Sequence, residues 1–411
     1  MKTTVLPGFR IAAPAALALA LVLPAAAEWT YDSSAQTLTQ GSVVLQNVTA
    51  SGTKLTIGNN KSNATAVALD LSTGVADGYE IASIAASAFD GTKNVTSLVL
   101  PDTLVSVGQS AFINCSNIGG TLVIPDSLTS VGNHPFYGLG IRELRMGSGL
   151  SRIGNWMFYG CSKLTNVVWN ATIQGVNERG FYGCKTLKSF TGPGTDGGFP
   201  TNLTYIGWGA FYTEGYESFL PGVDVRLPSL TSFGEQAFRA GGIRSAEIGG
   251  GAATVGASAF RACLKLESLV LNDGTRTLGD GLVGWCTSIT NLVVPSTIVK
   301  VGAIVGPNWG SRTMHVWWGG VPDPAQFNYS SASGDNWSLL RGGTPTVHHV
   351  RWKDKEKWLA FAAAIPEDYA ADNALLLPAE PKKNAVGSWG LAGNQPVRWF
   401  ELPAATLVMV K

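Results

Sequence analysis

The sequence predicts a β-rich repeat solenoid, and two periodic features of the chain support this prediction. One short pattern returns nine times between Ile84 and Val301, at intervals of 22 to 30 residues. Each repeat also contains a short stretch with apolar residues two positions apart, such as Leu122 and Ile124, which is the periodicity of a strand. A fixed period in the twenties is typical of solenoids, whose units bury their apolar faces against their neighbours. We therefore expect one short strand per repeat, with short helical or 3₁₀ turns opposite the strand ladder.

Each repeat opens on an aliphatic or aromatic residue that is usually followed by glycine. We interpret this glycine as part of a tight corner that requires a permissive backbone. The opening residues are Ile84, Val107, Val131, Ile153, Val176, Ile206, Phe233, Val255, Leu278 and Val301.

A phenylalanine stands five positions after the opening residue in eight repeats, and Val283 replaces it in the ninth. Burial of one such side chain contributes roughly 1.5–3 kcal/mol, so a stacked column of these rings would dominate the core. The predicted column consists of Phe89, Phe112, Phe136, Phe158, Phe181, Phe211, Phe238 and Phe260.

The five cysteines share one position, eight residues after the opening residue of their repeats. A shared interior position predicts small buried hydrophobic residues rather than a disulfide framework. Adjacent coils should lie about 5 Å apart with parallel Cβ vectors, whereas a disulfide requires a Cβ separation of about 3.8 Å. We therefore expect free thiols, and Cys161–Cys184 and Cys263–Cys286 are the pairs on adjacent coils to check. The cysteines are Cys115, Cys161, Cys184, Cys263 and Cys286.

These features together resemble the BspA-like leucine-rich repeats of bacterial secreted and surface proteins. The matching blocks include Val255–Cys263 (VGASAFRAC) followed by Leu266–Leu269 (LESL). The resemblance covers a little over half of the chain and departs at Val283 and across Val176–Phe233, where two repeats are longer. It implies a curved leucine-rich repeat solenoid that binds varied partners, and it does not imply an enzyme.

The regions before the solenoid are predicted to be a signal peptide, residues 1–27, and a β N-terminal cap, residues 28–80. The basic residues Lys2 and Arg10 precede an apolar run, Ile11–Leu23, and the small residues Ala25–Ala27 follow it. This pattern is typical of exported proteins. Residues 28–80 alternate apolar and polar residues between glycines, which indicates short strands that cover the open end of the first repeat. A separate binding role for this region is the alternative.

The solenoid is assigned to residues 81–305, and residues 306–411 are predicted to form a mixed α/β C-terminal cap. This last region holds eight of the thirteen tryptophans. Met314–Trp318 and Thr346–Trp352 have the pattern of strands, and Lys353–Ile365 has that of an amphipathic helix. Glycan binding through the tryptophans is the alternative interpretation.

Composition and motifs argue against several function classes. The net charge is +1 and no basic block occurs, so electrostatic binding to nucleic acid or a membrane surface is not expected. No stretch after the signal peptide is long and apolar enough to span a membrane. Neither a G-x-S-x-G nor an HExxH motif occurs, and the adjacent His348 and His349 should face opposite sides of a strand. We predict no catalytic residue, cofactor or metal ligand, although a carboxylate pair of a glycan hydrolase would not be visible in sequence.

The sequence favours a non-enzymatic protein-interaction or adhesion module at the cell exterior; a carbohydrate-binding protein that uses surface Trp and Tyr is the alternative. Outward strand residues are valine near both ends of the solenoid and mostly polar or charged in its middle, where the two repeats also carry insertions. Ordinary packing of β-branched residues along a ladder would explain the valines but not the polar centre. Aromatic residues nearby would anchor a partner, while charges would set specificity. The predicted partner-binding residues are Arg145, Trp169, Tyr182, Thr191, Arg226 and Glu247.

Overall fold

The computed structural model shows a β-solenoid in which parallel strands stack coil upon coil. It describes residues 28–61, 67–214, 219–302, 314–323, 346–351, 354–363, 386–388 and 396–400. Within these residues the only helical segments are a 3₁₀ turn, Ala76–Gly78, and one α-helix, Lys355–Ala363. The predicted signal peptide and much of the region after residue 305 lie outside the described residues.

One side of the solenoid is a ladder of long parallel strands that is divided into three sheets among the described residues. Their inward residues form rows in register, as in Leu122, Leu144, Val167 and Phe190. The long strands of the repeats are Val95–Val99, Thr121–Val123, Glu143–Arg145, Asn166–Val168, Ser189–Thr191, Asp224–Leu227, Ser245–Ile248, Ser268–Leu271 and Asn291–Val294.

A second ladder consists of short parallel strands in two sheets, one ending at Ser130–Val131 and the other beginning at Arg152–Ile153. Each repeat therefore contributes two strands rather than the single strand expected. The reason is that the opening residue points inward while the residue before it forms hydrogen bonds with the neighbouring coil. Every predicted opening residue ends one of these strands, which confirms the register of the repeat. The strands of this second ladder are Glu80–Ile84, Ser106–Val107, Ser130–Val131, Arg152–Ile153, Gly175–Val176, Tyr205–Ile206, Ser232–Phe233, Thr254–Val255, Thr277–Leu278 and Lys300–Val301.

The third side is formed by the segments between each short strand and the next long strand, such as residues 108–120; we call this side the turn face. The expectation of helical turns is wrong for the described solenoid residues. The Phe112 amide donates to the carbonyl of Pro135 at 2.9 Å, and the Asn114 amide donates to that of Tyr137 at 2.8 Å. The intervening amides, such as that of Ile113, which donates to the Ser110 carbonyl at 3.2 Å, close single turns. Because every second amide bonds to the adjacent coil, these turns do not continue into a helix.

The glycine after the opening residue has a different role from the one predicted. At Gly108, Gly132 and Gly256 the backbone is not left-handed, and an added Cβ would overlap the backbone of the adjacent coil. These glycines are therefore required for close stacking. The left-handed conformation occurs two residues later instead, as at Ser110, φ 56°.

The phenylalanine column forms as predicted and lies at the centre of the core. All eight side chains are buried. Their ring centroids lie 5.0 to 5.8 Å from those of the next coil, and all seven consecutive pairs are stacked. The two insertions add Phe199 and Phe219 to this core, because the longer repeats enclose a wider interior.

All five cysteines are buried and free, as predicted. Each thiol donates to the carbonyl oxygen of the column phenylalanine of the preceding coil, at Sγ–O distances from 2.9 Å for Cys115 to 3.4 Å for Cys161. Burial raises the pKa of Cys115 to about 11 and that of Cys161 to about 12. The thiols of Cys115 and Cys161 therefore stay protonated at neutral pH, and all five cysteines serve as hydrogen-bonded core residues.

Residues 28–80 form short strands as predicted, and two of them extend the ladders of the first repeats. Lys54–Ile57 pairs in parallel with Glu80–Ile84, and Val67–Asp70 pairs in parallel with Val95–Val99. The other strands are Thr30–Asp32, Thr37–Gln40, Val43–Leu45 and Val48–Ser51. The assignment of this region as a cap stays a prediction.

Beyond residue 305, the predicted strands and helix are present among the described residues. Met314–Trp318 and Thr346–Arg351 continue the long-strand ladder, and Trp358 and Phe361 of the helix are buried. The remaining strands are Val386–Ser388 and Pro396–Phe400, which pair with each other antiparallel.

Candidate functional site

The predicted polar row on the long-strand ladder is exposed but divided. Arg145 and Thr191 are exposed on either side of Val168, whereas Arg226 and the half-buried Glu247 belong to a separate sheet. The inserted strand Phe199–Pro200 lies between these two groups.

The arginines of this row are already paired within the protein. Arg145 Nε lies 2.6 Å from Glu143 Oε1, and Arg226 Nη1 lies 3.2 Å from Asp196 Oδ2 on the inserted hairpin, Thr195–Asp196 with Phe199–Pro200. Exposed ion pairs of this kind contribute between zero and about 1 kcal/mol, so their main effect is to neutralise the row.

Trp169 is not a partner contact, and this prediction is wrong. Its side chain is only 1% exposed, and its Nε1 donates to Asn202 Oδ1 at 3.3 Å. Strand alternation explains the error, since Val167 points inward, Val168 outward and Trp169 inward again. Tyr182, the other predicted anchor, lies on the turn face rather than beside the polar row.

Four tyrosines form a continuous column on the turn face, which we call the tyrosine column: Tyr137, Tyr159, Tyr182 and Tyr212. Each directly follows a buried column phenylalanine and is half-buried. Successive ring centroids lie 4.6, 4.6 and 4.7 Å apart. Burial raises the pKa of Tyr182 to about 12 and also raises that of Tyr159, so the hydroxyls remain protonated donors and acceptors.

Beside this column, an arginine is held between two tryptophans. The guanidinium of Arg179 lies 4.0 Å from the ring centroid of Trp156 and 4.0 Å from that of Trp208. His134 continues the row, with its ring 5.1 Å from Trp156. Cation–π contacts of this kind contribute about 0.5–1 kcal/mol at exposed sites and also hold the guanidinium in place.

Three of these side chains are attached to strained backbone. His134, Trp156 and Arg179 have φ of 59°, 57° and 53°. The left-handed conformation costs a non-glycine residue roughly 1–2 kcal/mol. The same position is left-handed in the other coils too, at Ser87, Ser110, Gly209, Gln236, Ser258 and Gly281, so the strain belongs to the repeat, and only the aromatic and cationic side chains distinguish this surface.

The tyrosine column continues into two arginines that line a cavity. Arg239 and Arg261 occupy the tyrosine position in the next two coils, and the Arg239 guanidinium lies 5.1 Å from the Tyr212 ring centroid. The cavity measures about 490 Å³, and we call it the arginine groove. Its lining residues are Tyr212, Thr213, Glu214, Arg239, Ala240, Arg261, Ala262, Leu264 and Trp285.

Sequence reasoning noticed several of these aromatics as a cluster but missed that they form a column ending in arginine. The missing signal was positional, because all four tyrosines and both arginines stand six residues after the opening residue of their repeats.

The histidines show one close pair, between Nδ1 of His315 and Nε2 of His349, which are 2.8 Å apart. The His349 ring also stacks on Trp317, with centroids 3.7 Å apart. Among the described residues, no three His, Cys, Asp or Glu side chains are grouped to hold a metal ion. No described helix is long and apolar enough to cross a bilayer.

Comparison with solved structures returns bacterial leucine-rich repeat proteins at low identity. One from Bacteroides ovatus is 15% identical and has a TM-score of 0.37, with 88% of this chain and 100% of that chain covered. A leucine-rich cell surface protein from Faecalibacterium prausnitzii is 19% identical with a TM-score of 0.28, covering 64% and 90%. The pneumococcal vaccine antigen PcpA is 12% identical with a TM-score of 0.35, covering 79% and 95%.

No curated protein matches the chain. The family model of the BspA type leucine-rich repeat region matches residues 82–214 and 204–305 with six copies, which together span more than half of the sequence. The chain therefore belongs to the BspA-type leucine-rich repeat family.

Proposed function

We propose that this protein is an exported, non-enzymatic module for protein interaction or adhesion, and that it binds its protein partner through the tyrosine column. Export is supported by the signal-peptide pattern of residues 1–27 and by the family. The observation that carries the binding proposal is the row of four half-buried tyrosines that extends across four coils.

The tyrosine column suits a protein partner because tyrosines combine a rigid apolar ring with a hydroxyl. Tyr, Trp and Arg are the residues that most often dominate binding energy at protein interfaces. The column and its neighbours Trp156, Arg179 and Trp208 supply all three types on one face. The ring stacks limit side-chain motion before binding, which lowers the entropy lost when a partner docks.

The ring geometry argues against the alternative of a carbohydrate site on this face. A sugar ring stacks on the flat face of an aromatic side chain. Tyr159 has Tyr137 stacked on one face and Tyr182 on the other, each at 4.6 Å. The Trp156 ring is covered by Arg179 and also stacks with Tyr159 at 4.9 Å. Edges and hydroxyls are therefore what this part of the turn face offers.

The predicted ladder-face site, with Arg145, Thr191, Arg226 and Glu247, is the competing location for the partner. Its two arginines are neutralised by Glu143 and Asp196, so they would have to exchange partners on binding. On the turn face Arg179 is also paired, with its Nη1 3.3 Å from Glu178 Oε1. The edges of the tyrosine rings, however, can contact a partner without breaking an ion pair, and for this reason we favour the turn face.

The test is affinity against a partner captured from cell-envelope and host extracts, with a glycan array measured in parallel. Tyr159→Ala combined with Tyr182→Ala is expected to weaken binding at least 30-fold, since interface hot spots contribute about 2 kcal/mol or more. Arg145→Gln combined with Arg226→Gln is the matched surface control and should bind within about twofold of wild type. A reversed order of effects, with all variants folded, would move the site to the ladder face. Tyrosine-dependent binding to neutral glycans would replace the protein partner by a carbohydrate.

A further inference from the structure

We propose that the arginine groove binds an acidic side chain of a peptide segment in the partner, with an adjacent apolar side chain packed on Trp285. The inference deepens the proposed function, because the groove begins at Tyr212, where the tyrosine column ends.

The charge of the groove comes from two guanidinium groups on consecutive coils. Arg239 and Arg261 take equivalent positions, so their Cα atoms are about one strand spacing apart, about 4.8 Å. Neither arginine forms an ion pair with a described carboxylate. Arg239 Nη1 donates to the neutral side chain of Gln236 at 3.1 Å. A carboxylate placed between the guanidiniums would relieve their repulsion and accept paired hydrogen bonds.

The carboxylate that lines the groove is directed to other partners. Glu214 lies 3.9 Å from Lys185 through Oε2, and it accepts a hydrogen bond from the Tyr182 hydroxyl at 3.5 Å through Oε1. Glu214 therefore joins the tyrosine column to the rim of the groove, and no described carboxylate neutralises the two arginines.

The lining of the groove also includes an exposed tryptophan. Trp285 is 40% exposed, and Leu264 is a second apolar side chain of the lining. In the two preceding coils the position of Trp285 is occupied by Ala240 and Ala262, so the large apolar surface is specific to this coil. The exposed indole therefore supplies a flat apolar surface in the same groove as two cations.

This combination fits an acidic peptide better than a polyanionic glycan or nucleic acid. Polyanions are held by extended sets of basic residues, each neutralising one charge. The groove has two arginines and contains Glu214, in a chain whose net charge is only +1. A peptide with one or two carboxylates beside an apolar or aromatic residue matches both the two guanidiniums and the exposed Trp285 ring.

The experiment selects peptides from a displayed library of random 12-residue sequences on the full chain and then measures affinities. Selected peptides should be enriched in Asp or Glu next to an aromatic or large aliphatic residue. Arg239→Gln with Arg261→Gln, and separately Trp285→Gly, should each weaken the binding of a selected peptide at least tenfold. Trp285→Gly replaces a strained residue by the one that suits its backbone, so its thermal stability should not fall. Arg145→Gln with Arg226→Gln removes the same charge elsewhere and should bind within twofold of wild type.

The outcomes separate two hypotheses: partner binding through the tyrosine column and acidic-peptide binding in the arginine groove. Peptides without acidic enrichment, or affinities unchanged in the Arg239 and Arg261 variant, would overturn the inference. Full competition by heparin fragments, together with loss of peptide enrichment, would assign the groove to an anionic glycan and overturn it too. Peptides that require Tyr159 and Tyr182 but not the arginines would leave the proposed function standing without this inference. Peptides that require the arginines but not the tyrosines would support the groove and refute the tyrosine column.

Discussion

Phe112→Ala is expected to destabilise the solenoid by roughly 3–5 kcal/mol, as large aromatic-to-alanine changes in packed cores do. The Phe112 ring is fully buried and stacks on Phe89 at 5.0 Å and on Phe136 at 5.8 Å. Loss of apolar burial accounts for roughly 1.5–3 kcal/mol. Each of the two lost ring pairs adds about 0.5–1.5 kcal/mol, so burial and ring pairs together give about 2.5–6 kcal/mol, which brackets the expected cost.

The location of the damage tests the architecture. Contacts in a solenoid run between neighbouring coils, so protection from hydrogen exchange should fall first in the coils that contain Phe89, Phe112 and Phe136. The repeats near Phe260 should keep their protection under the same conditions. Phe112→Leu keeps most of the volume and should cost less than about 1.5 kcal/mol. Protection lost evenly across all repeats, or a cost equal to that of the leucine variant, would refute this account of the core.

Three further predictions concern the coil-to-coil contacts. Native protein should not react with a thiol reagent at pH 8, whereas denatured, unreduced protein should release five thiols; fewer than five would indicate a disulfide. Burial raises the Cys115 pKa from 9.0 to about 11 and the Cys161 pKa to about 12. The contribution of these two protonated thiols to the free energy of unfolding should therefore be complete below pH 9 and fall as the pH rises toward 12. A free energy of unfolding that stays constant between pH 9 and 12 would contradict this prediction. Gly132→Ala should destabilise by more than about 1 kcal/mol because its Cβ would overlap the Gln109 backbone. At Gly154 the nearest atom to an added Cβ is Val131 Cγ2, 3.1 Å away, and the nearest backbone atom is 4.0 Å away, so Gly154→Ala should cost less in the same thermal unfolding assay.

The repeat made the core predictable because the same position recurs in every coil. The opening residues, the phenylalanine column and the cysteine row were each identified from a constant offset, and the structure places them as inward rows in register. In a solenoid, an offset along the sequence converts directly into a column in space, since successive coils stack without sideways shift.

The errors arose where a local rule was used without its neighbour in the next coil. The glycines were assigned to a corner, but Gly132 is set by the approach of the Gln109 backbone. Helical turns were expected, but the amides bond between coils. Trp169 was treated as a surface aromatic although the alternation along its strand places it inside. The cation–π sandwich around Arg179 depends on side-chain rotamers in adjacent coils, which sequence does not specify.

The two candidate surfaces, the ladder face and the turn face, differ in the side chains that they offer to a partner. On the ladder face, alternation alone explains the exposed valines, and the charged residues Arg145 and Arg226 have acquired partners within the chain. On the turn face, stacked tyrosines lie beside Trp156 and Trp208, and the column leads to Arg239 and Arg261, which form no ion pair with a described carboxylate. Tyr, Trp and Arg are the residues that most often dominate binding energy at interfaces. The turn face, rather than the neutralised ladder, is therefore where binding is best sought.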